Sequence, residues 1–432
     1  MSEPTVLLAG ARTPIGSFLG GLAPLTAPAL GSVAIRCALE RAGVAPADVD
    51  EVFMGNVVQA GVGQAPARQA ALGAGLPQAV PCTTVNKVCG SGLKAVMLAD
   101  TQIRAGEARL VVAGGMESMS QAPFLVRGMR TGLALGEHSL LDANLTDGLV
   151  DAYGNGHMAI ACEHSVQAAG LTREDQDRFA LRSYERALAA QASGAFDAEL
   201  VPVDVPGRKG SVTRVAKDET PRETSLEALA ALRPAFDAKG TITAGNASKL
   251  NDGAAAVVVA SRERADALKA QPLARIVAQA QFAREPQHFV LAPSGAIRRC
   301  VERAGWGIGE VDLFEVNEAF SAIEAVRREL AIPEDRFNVN GGAVALGHPI
   351  GASGARLLVT LLYALRGSIA AIDRGEECRE TVLNFRGPER TPWWNEIHLA
   401  PVLDADGNAV QYIGVQHDVT ARVEAERALL QE

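Results

Sequence analysis

The chain has 432 residues, 48% hydrophobic and only 4% aromatic, so it can bury large cores and should form two or three domains. A formal net charge of −9 argues against nucleic acid or an anionic membrane as a partner. Six scattered cysteines, no leader pattern and no apolar run of membrane-spanning length predict a reduced, cytoplasmic protein with neither a metal site nor a disulfide scaffold.

The sequence alternates strand-like and helix-like segments. Four short apolar runs end in glycine, asparagine or charge, as buried strands do: residues 6–9, 110–113, 256–259 and 311–314. Apolar residues recur at helical spacing between and beside these runs, at 92–105, 174–192 and 318–330. This alternation predicts an α/β fold.

An internal repeat organises the chain. The sequence at 40–43 recurs at 302–305, an offset of 262 residues. The same offset carries Val49-Asp50 onto Val311-Asp312, and the glycine/serine turn at 90–94 onto 352–356. We therefore expect two copies of one α/β unit, each with a Gly/Ser-rich turn at the start of a helix.

The stretch 119–246 fits neither copy. It contains the predicted helix 174–192 and a section rich in proline, glycine and charge around 202–224. We interpret it as an inserted lobe that could cover a ligand.

Cys89 and His348 are the candidate nucleophile and base. Cys89 precedes the first predicted helix start, where unpaired N–H groups favour a thiolate and can stabilise an oxyanion on an acyl group. His348 lies in a Gly-His-Pro turn just before the second helix start. Each residue taken alone is more often structural, but their neighbours favour the catalytic interpretation, and pseudo-twofold symmetry would bring both to one interface.

Residues 1–366 resemble the thiolases, in particular acetyl-CoA C-acetyltransferases. The resemblance rests on five motifs, at 11–16, 86–92, 114–119, 317–320 and 340–354. It implies two stacked copies in αβαβα layers: an N-terminal domain of 1–118 plus 247–272, an inserted coenzyme A-binding loop domain at 119–246, and a truncated C-terminal domain at 273–366.

The resemblance also implies roles for individual residues. Cys89 would take the acyl group from an acyl-CoA, His348 would activate Cys89, and Asn317 would help hold the oxyanion or water site. The reaction would condense two acetyl-CoA to acetoacetyl-CoA, or run in reverse as thiolysis, in a homo-oligomer (dimer or tetramer) without a tightly bound cofactor. Arg222 would contact the coenzyme A phosphates, and six residues would line the pantetheine: Ser248, Phe236, His157, Met158, Ala319 and Phe320.

One feature departs from the family. Thiolases carry a second cysteine in a glycine-rich turn after a buried strand, and the repeat predicts that strand independently. The offset carries 109–115 onto 371–377, which has neither an apolar run nor paired glycines. Cys378 has about the right spacing, but its charged neighbours at 376–380 indicate a helical or exposed surface, so we interpret the spacing as coincidence.

The tail, 367–432, has a different pattern. Apolar and polar residues alternate at 381–385, 393–402 and 410–419, which predicts three strands with a hairpin turn at 404–408. These strands resemble the closing antiparallel strands of a flavin-binding LOV (PAS-type) sensor domain, in which Asn384, Asn395 and Gln416 would meet the flavin. Only that half of the domain is represented, so flavin binding is not expected. The segment 421–432 resembles the start of a linker helix.

Three hypotheses of different classes remain open at this point. The chain could be a working thiolase, an impaired fusion that acylates Cys89 without completing condensation, or a PAS-type sensor or binding module. Among enzymes, a decarboxylating ketosynthase is a further alternative, because that class needs no second cysteine.

Overall fold

A computed structural model describes residues 5–373, 378–386, 391–403 and 409–418, with side-chain surroundings through residue 366. The chain divides into two units, Met1–Tyr363 and Ala364–Glu432. Across the described residues, no helix combines the length and the apolar character needed to cross a membrane.

Strands and helices alternate along the first unit. Its strands are β1 (Thr5–Arg12), β2 (Gly16–Ser17), β3 (Glu51–Gly55), β4 (Cys82–Val85), β5 (Leu110–Ser118), β6 (Phe124–Leu125), β7 (Leu141–Asp142), β8 (Val203–Pro206), β9 (Val212–Val215), β10 (Asn251–Ser261) and β11 (Ala274–Arg275). Its helices are α1 (Ala27–Ala42), α2 (Pro66–Gly73), α3 (Ser91–Ala105), α4 (Met158–Ala168), α5 (Arg173–Ser193), α6 (Leu226–Ala230), α7 (Arg262–Ala267), α8 (Ala292–Ala304), α9 (Glu324–Glu329), α10 (Ala343–Leu346) and α11 (Ser353–Asp373), the last continuing past the boundary between the units.

A mixed sheet forms the centre of the first unit. Its strand order is β11-β1-β10-β5-β3-β4, with β2 also paired to β10. Strand β10 is antiparallel to β1 and β5, whereas β3 is parallel to β5 and β4. The strands predicted at 6–9, 110–113 and 256–259 are confirmed as parts of β1, β5 and β10.

Helices cover both faces of this sheet. Leu110 and Val112 of β5 pack in a cluster with residues of α1 and α2. Val111 and Ala113, which point the other way, pack with residues of α3 and α11. Both faces are therefore buried, which explains why these strands are near-continuous apolar runs.

The lobe lies between two strands that pair directly. Residues 119–250 separate β5 from β10, and they contain α4 to α6 and the small hairpins β6–β7 and β8–β9. The domain boundaries assigned from the sequence remain predictions.

The internal repeat is confirmed by the element bounds. Helices α1 and α8 end at Ala42 and Ala304, 262 residues apart, and each is followed by a left-handed glycine. Helices α3 and α11 begin at Ser91 and Ser353, again at that offset.

The two repeated helix starts meet each other. A Cβ on Gly92 would lie 2.7 Å from the backbone nitrogen of Ala355, and one on Gly354 would lie 2.6 Å from that of Leu93. Glycine at both positions therefore lets α3 and α11 approach closely, so the turns before them, which hold Cys89 and His348, lie side by side.

The strand predicted at 311–314 is wrong. This segment forms only a single bridge, between Phe314 and Phe337. In the first copy, β3 is paired on both sides, by β4 and by β5. The counterpart of β5 would begin at residue 372, where the chain is still in α11. The resemblance implies two β layers. The described residues of the first unit form only one large sheet, the one centred on β10 and β5.

The helix predicted at 318–330 is only partly formed. A 3-10 turn occupies Ser321–Ile323, and α9 follows it. The residues before the turn are extended instead, because Ala247 forms an antiparallel bridge with Phe320.

The second unit contains the three predicted tail strands. They are β12 (Cys378–Arg386), β13 (Thr391–Leu403) and β14 (Ala409–Asp418), which form an antiparallel sheet in that order. Cys378 thus begins a strand, and the helical interpretation of its neighbourhood is wrong because its backbone pairs with that of Leu399. The predicted turn at 404–408 and the helix at 421–432 lie outside the described residues.

Candidate active site

Cys89 stands in a tight turn that ends at the start of α3. The hydroxyl of Ser91 accepts from the Lys87 N–H at 2.8 Å and donates to the Val88 carbonyl at 2.6 Å. Val88 has a φ of 48°, a left-handed conformation that is strained for a β-branched residue. Such strain beside a candidate nucleophile indicates that the turn is built to present Cys89.

His348 faces the thiol. Its Nε2 lies 3.1 Å from the Sγ of Cys89, and its Nδ1 lies 2.6 Å from the Ser353 hydroxyl. That hydroxyl donates its only proton to the Pro349 carbonyl at 3.0 Å, so it must accept from the Nδ1–H of His348. The lone pair of His348 therefore points from Nε2 toward Cys89, the arrangement that a general base needs.

Asn251, on β10, fixes the backbone of the histidine turn. Its side-chain oxygen accepts from the His348 N–H at 2.9 Å. Gly347, with a φ of 107°, packs on the same side chain, and a Cβ there would lie 2.5 Å from Asn251. Only glycine fits this turn.

Asn317 completes the cluster. Its Nδ2 lies 3.5 Å from the Nε2 of His348, within reach of the space above the thiol. Its Oδ1 is buried without a hydrogen-bond partner among the described residues. A buried amide oxygen without a partner indicates a place for a substrate group or a bound water.

Burial favours the uncharged form of both Cys89 and His348. Burial raises the pKa of the Cys89 thiol to about 12. Burial, and to a smaller extent the charge of Arg356, lower the pKa of His348 to about 4. These shifts oppose the thiolate expected from the helix terminus, because the desolvation of a charge acts against the helix field.

Glu117 ties the two halves of the site together. Its carboxylate accepts from the backbone N–H groups of Val57 at 2.9 Å and Gly351 at 3.0 Å, and from the side chain of Asn56 at 2.6 Å. Val57 packs in the cluster that holds Cys89, whereas Gly351 lies three residues after His348. Burial raises the pKa of Glu117 to about 7. This side chain therefore joins the nucleophile half to the base half.

Four of the predicted coenzyme A residues lie together. The Ser248 N–H donates to the Ala319 carbonyl at 3.0 Å, directly after Asn317-Glu318. Met158, Ala319 and Phe320 pack in one hydrophobic cluster. These residues are connected to the candidate site through the segment that carries Asn317.

The other three lie at the surface of the lobe. The rings of His157 and Phe236 are stacked with their centroids 4.5 Å apart, and His157 caps the start of α4. Arg222 is exposed, with its guanidinium 5.8 Å from the ring centroid of Tyr184. The coenzyme A roles of all seven residues, like the catalytic roles, remain predictions.

Sequence reasoning missed three residues that hold the pair in place: Ser353, Asn251 and Glu117. Two of them carried a signal in the sequence. Ser353 is the repeat counterpart of Ser91, and Glu117 lies in the motif at 114–119. Asn251 had no such signal, since its role depends on β10 beginning beside His348.

Comparison with known proteins shows the family. The thiolase N-terminal domain matches residues 5–263 and the thiolase C-terminal domain matches residues 270–378. The chain belongs to the thiolase family. Within the described residues of this thiolase, no group of three or more His, Cys, Asp or Glu side chains could hold a metal ion.

Curated relatives of this thiolase cover most of its length. It is 51% identical over 365 residues to the acetyl-CoA acetyltransferase of Pseudomonas aeruginosa, covering 84% of this chain and 93% of the relative. It is also 51% identical over 363 residues to the acetyl-CoA acetyltransferase of Cupriavidus necator, covering 84% and 92%. A probable acetyl-CoA acyltransferase of Staphylococcus aureus is 49% identical over 366 residues, covering 84% and 93%.

Proposed function

We propose that this thiolase is an acetyl-CoA C-acetyltransferase, which condenses two acetyl-CoA to acetoacetyl-CoA or catalyses the reverse thiolysis. The observation that carries the proposal is the 3.1 Å approach of the His348 Nε2 to the Cys89 Sγ. The names of relatives about half identical over 84% of the chain support the choice of substrate.

The first half-reaction is acyl transfer to Cys89. The Cys89 sulfur attacks the thioester carbonyl carbon while its proton passes to the Nε2 of His348. Charge develops on the carbonyl oxygen, and the Nδ2–H of Asn317 is available to donate to it. Collapse of the intermediate breaks the bond to the coenzyme A sulfur, which takes the proton back from His348. The result is an acetyl-Cys89 enzyme and a free thiol.

The second half-reaction needs a base that removes a proton from the methyl group of the next acetyl-CoA. The resulting carbanion attacks acetyl-Cys89 and releases the sulfur. By resemblance the base would be a second cysteine, and Cys378 is the residue with that spacing. The chain is still in α11 at residues 371–373, where the repeat predicts the strand before this cysteine, and this favours a second candidate function: an enzyme that acylates Cys89 but condenses poorly.

One experiment separates these functions. The purified full-length chain is mixed with acetoacetyl-CoA and coenzyme A, and the release of acetyl-CoA is followed. In a parallel reaction with acetyl-CoA alone, acetylation of Cys89 is measured by mass spectrometry of its peptide. Turnover that is lost in Cys89→Ala and retained in Cys300→Ala supports the thiolase. One acetyl group per chain without turnover supports the impaired enzyme, and absence of both contradicts the proposal.

We also propose that coenzyme A binds along the lobe, with Arg222 near its phosphates and Ser248 and Phe320 along the pantetheine. The adjacency of Ser248 to the Asn317 segment supports this path. Arg222→Ala should raise the KM for coenzyme A thioesters. The KM for pantetheine thioesters, which lack the phosphates, should not change. Equal effects on both substrates would contradict the assignment.

A homo-oligomer is a further part of the proposal. Apolar side chains of the lobe, among them Phe124, Met129, Leu135 and Leu140, are exposed, and β4 lies at the edge of the sheet. Such exposed surfaces are typical of contacts between subunits, and we propose that a second copy of this chain covers them. Light scattering should give a dimer or tetramer mass, and a monomer at assay concentration would contradict this.

The LOV-like identity of the tail stays a prediction, as does the cytoplasmic location. The tail hypothesis has a direct check, since a flavin bound to the purified protein would give visible absorbance and would favour a sensor module. We expect none.

A further inference from the structure

Lys249 is a half-buried cation that the proposed chemistry does not use. Its ammonium donates to the phenol oxygen of Tyr184 at 2.7 Å and to the carbonyl of Val344 at 3.2 Å. Tyr184 and Val344 are both fully enclosed, and none of the ion pairs among the described residues includes Lys249. Both oxygens are neutral, so no opposite charge offsets the partial loss of hydration of this ammonium, and its position therefore calls for an explanation.

The position of Lys249 explains what it could do. It lies on the segment 246–251, which contacts both sides of the candidate active site. On one side, the Ser248 N–H bonds to the Ala319 carbonyl, next to the Asn317 segment. On the other, Asn251 holds the His348 N–H. Lys249 is the one charged residue of this segment.

The contact with Val344 reaches the base directly. Val344 is in α10, which ends at Leu346, immediately before Gly347 and His348. The ammonium therefore joins the 246–251 segment, helix α5 through Tyr184, and the helix that leads into the histidine turn. A shift of that turn would change the 3.1 Å approach of His348 to Cys89.

We propose that Lys249 is a positioning residue, a tethered ammonium that fixes α10 and thereby aligns His348 with Cys89. The inference deepens the proposed function and rests on it for its role in turnover. Its effect on the reactivity of the Cys89 thiol does not depend on which acyl-CoA is the substrate.

An anion-binding role is the competing explanation. The ammonium of Lys249 lies 5.0 Å from the Tyr184 ring centroid and the guanidinium of Arg222 lies 5.8 Å from it, so two cations share one ring. Lys249 also lines a cavity of about 380 Å³ with Phe18 and Thr220. If Lys249 bound an anionic part of the substrate, its removal would raise KM, whereas misalignment of His348 lowers kcat.

The test uses full-length Lys249→Ala, Lys249→Met and Tyr184→Phe, with the exposed Lys239→Ala as the control. The rate of Cys89 alkylation by iodoacetamide is measured by mass spectrometry, which needs no thiolase turnover. Because the resting thiol must pass its proton to His348, misalignment should slow alkylation by about tenfold to 100-fold in the two lysine variants. Tyr184→Phe should slow it less, and Lys239→Ala should match the wild type.

Rescue separates positioning from loss of folding. Methylammonium should restore alkylation and kcat in Lys249→Ala, where the space is open. It should restore neither alkylation nor kcat in Lys249→Met, where the methionine side chain fills that space. It should have no effect on the wild type. The proposal is overturned if both lysine variants alkylate at the wild-type rate, if methylammonium fails to restore Lys249→Ala, or if the loss appears in KM alone. A wild type that alkylates normally but does not turn over contradicts the proposed function and leaves this test intact.

Discussion

In the first copy of the repeat, the chain leaves the 3-10 turn at Pro46–Asp48 and continues into strand β3. In the second copy, it leaves the equivalent turn at Ile308–Glu310 and forms only one bridge, between Phe314 and Phe337. The helices on either side of these segments begin or end at matching positions in both copies.

This difference shows which structures a repeated sequence can form without a partner elsewhere in the chain. A helix makes its hydrogen bonds within one segment, so a repeated sequence gives a repeated helix. A strand needs a partner elsewhere in the chain. The first copy has β5 beside β3, and in the second copy the counterpart of β5 begins where the chain is still in α11.

The largest effect is expected when the base, His348, is replaced by the residue at the equivalent position of the first copy. The repeat counterpart of His348 is Asn86, so His348→Asn restores the symmetry of the repeat. Acetylation of Cys89 should slow by roughly 100- to 10,000-fold because the thiol loses its proton acceptor. Rapid-quench mass spectrometry measures the rate.

The exposed His138 provides the control, and His138→Asn should acylate normally. The rate in His348→Asn should also rise with pH, since only the ionised thiol can then react. Acetylation of His348→Asn at the wild-type rate would mean that the two copies do not share one catalytic pair.

The ionisation of the pair gives the next test. With the pKa of Cys89 raised to about 12 and that of His348 lowered to about 4, the neutral pair should prevail across the whole interval. The ultraviolet difference spectrum of the wild type against Cys89→Ala should therefore lack the thiolate band at neutral pH and gain it only under strongly alkaline conditions. A thiolate band that is present at neutral pH and disappears on acidification would instead indicate a thiolate–imidazolium pair.

Glu117 joins the copies, and Glu117→Gln should weaken that junction. The new amide would turn a donor toward backbone N–H groups that now donate to the carboxylate. The free energy of unfolding should fall by about 2–4 kcal/mol, measured by urea titration. Glu107→Gln, at an exposed position, is the matched control, and an equal effect of the two changes would contradict a bridging role.

The smallest effects are expected at the helix crossing, where both copies contribute alike. Gly92→Ala and Gly354→Ala should each lower the free energy of unfolding by about 1–3 kcal/mol, because the added methyl groups meet the backbone of the opposite helix. Gly309→Ala, where a Cβ meets nothing within 4 Å, should be nearly neutral. A loss at only one of the two crossing glycines would show that the twofold relation fails there.

Much of the first unit could be predicted from its pattern. The buried strands β1, β5 and β10 are apolar runs because helices cover both of their faces. The approach of Cys89 to His348 followed from the repeat, since equivalent turns meet at a twofold interface. The family followed from the motifs and is confirmed by the domain matches.

The remaining features depend on neighbours that are distant in sequence. An apolar run such as 311–314 looks like a strand whether or not it finds a partner, so its pattern was misleading. The burial that raises the pKa of the Cys89 thiol could not be predicted either, because the surroundings of Cys89 come from Val57, Met119 and Ile350, which are far apart along the chain.

The sequence by itself determined the repeat, the helix starts at Ser91 and Ser353 and the choice of Cys89 and His348 as partners. These depend on local turns and on symmetry. Only the tertiary structure decided that burial favours an uncharged pair, that Ser353 sets the histidine tautomer, and that Glu117 joins the two sides of the site. The physical reason is that burial and hydrogen bonding to remote groups set the energy of a charge.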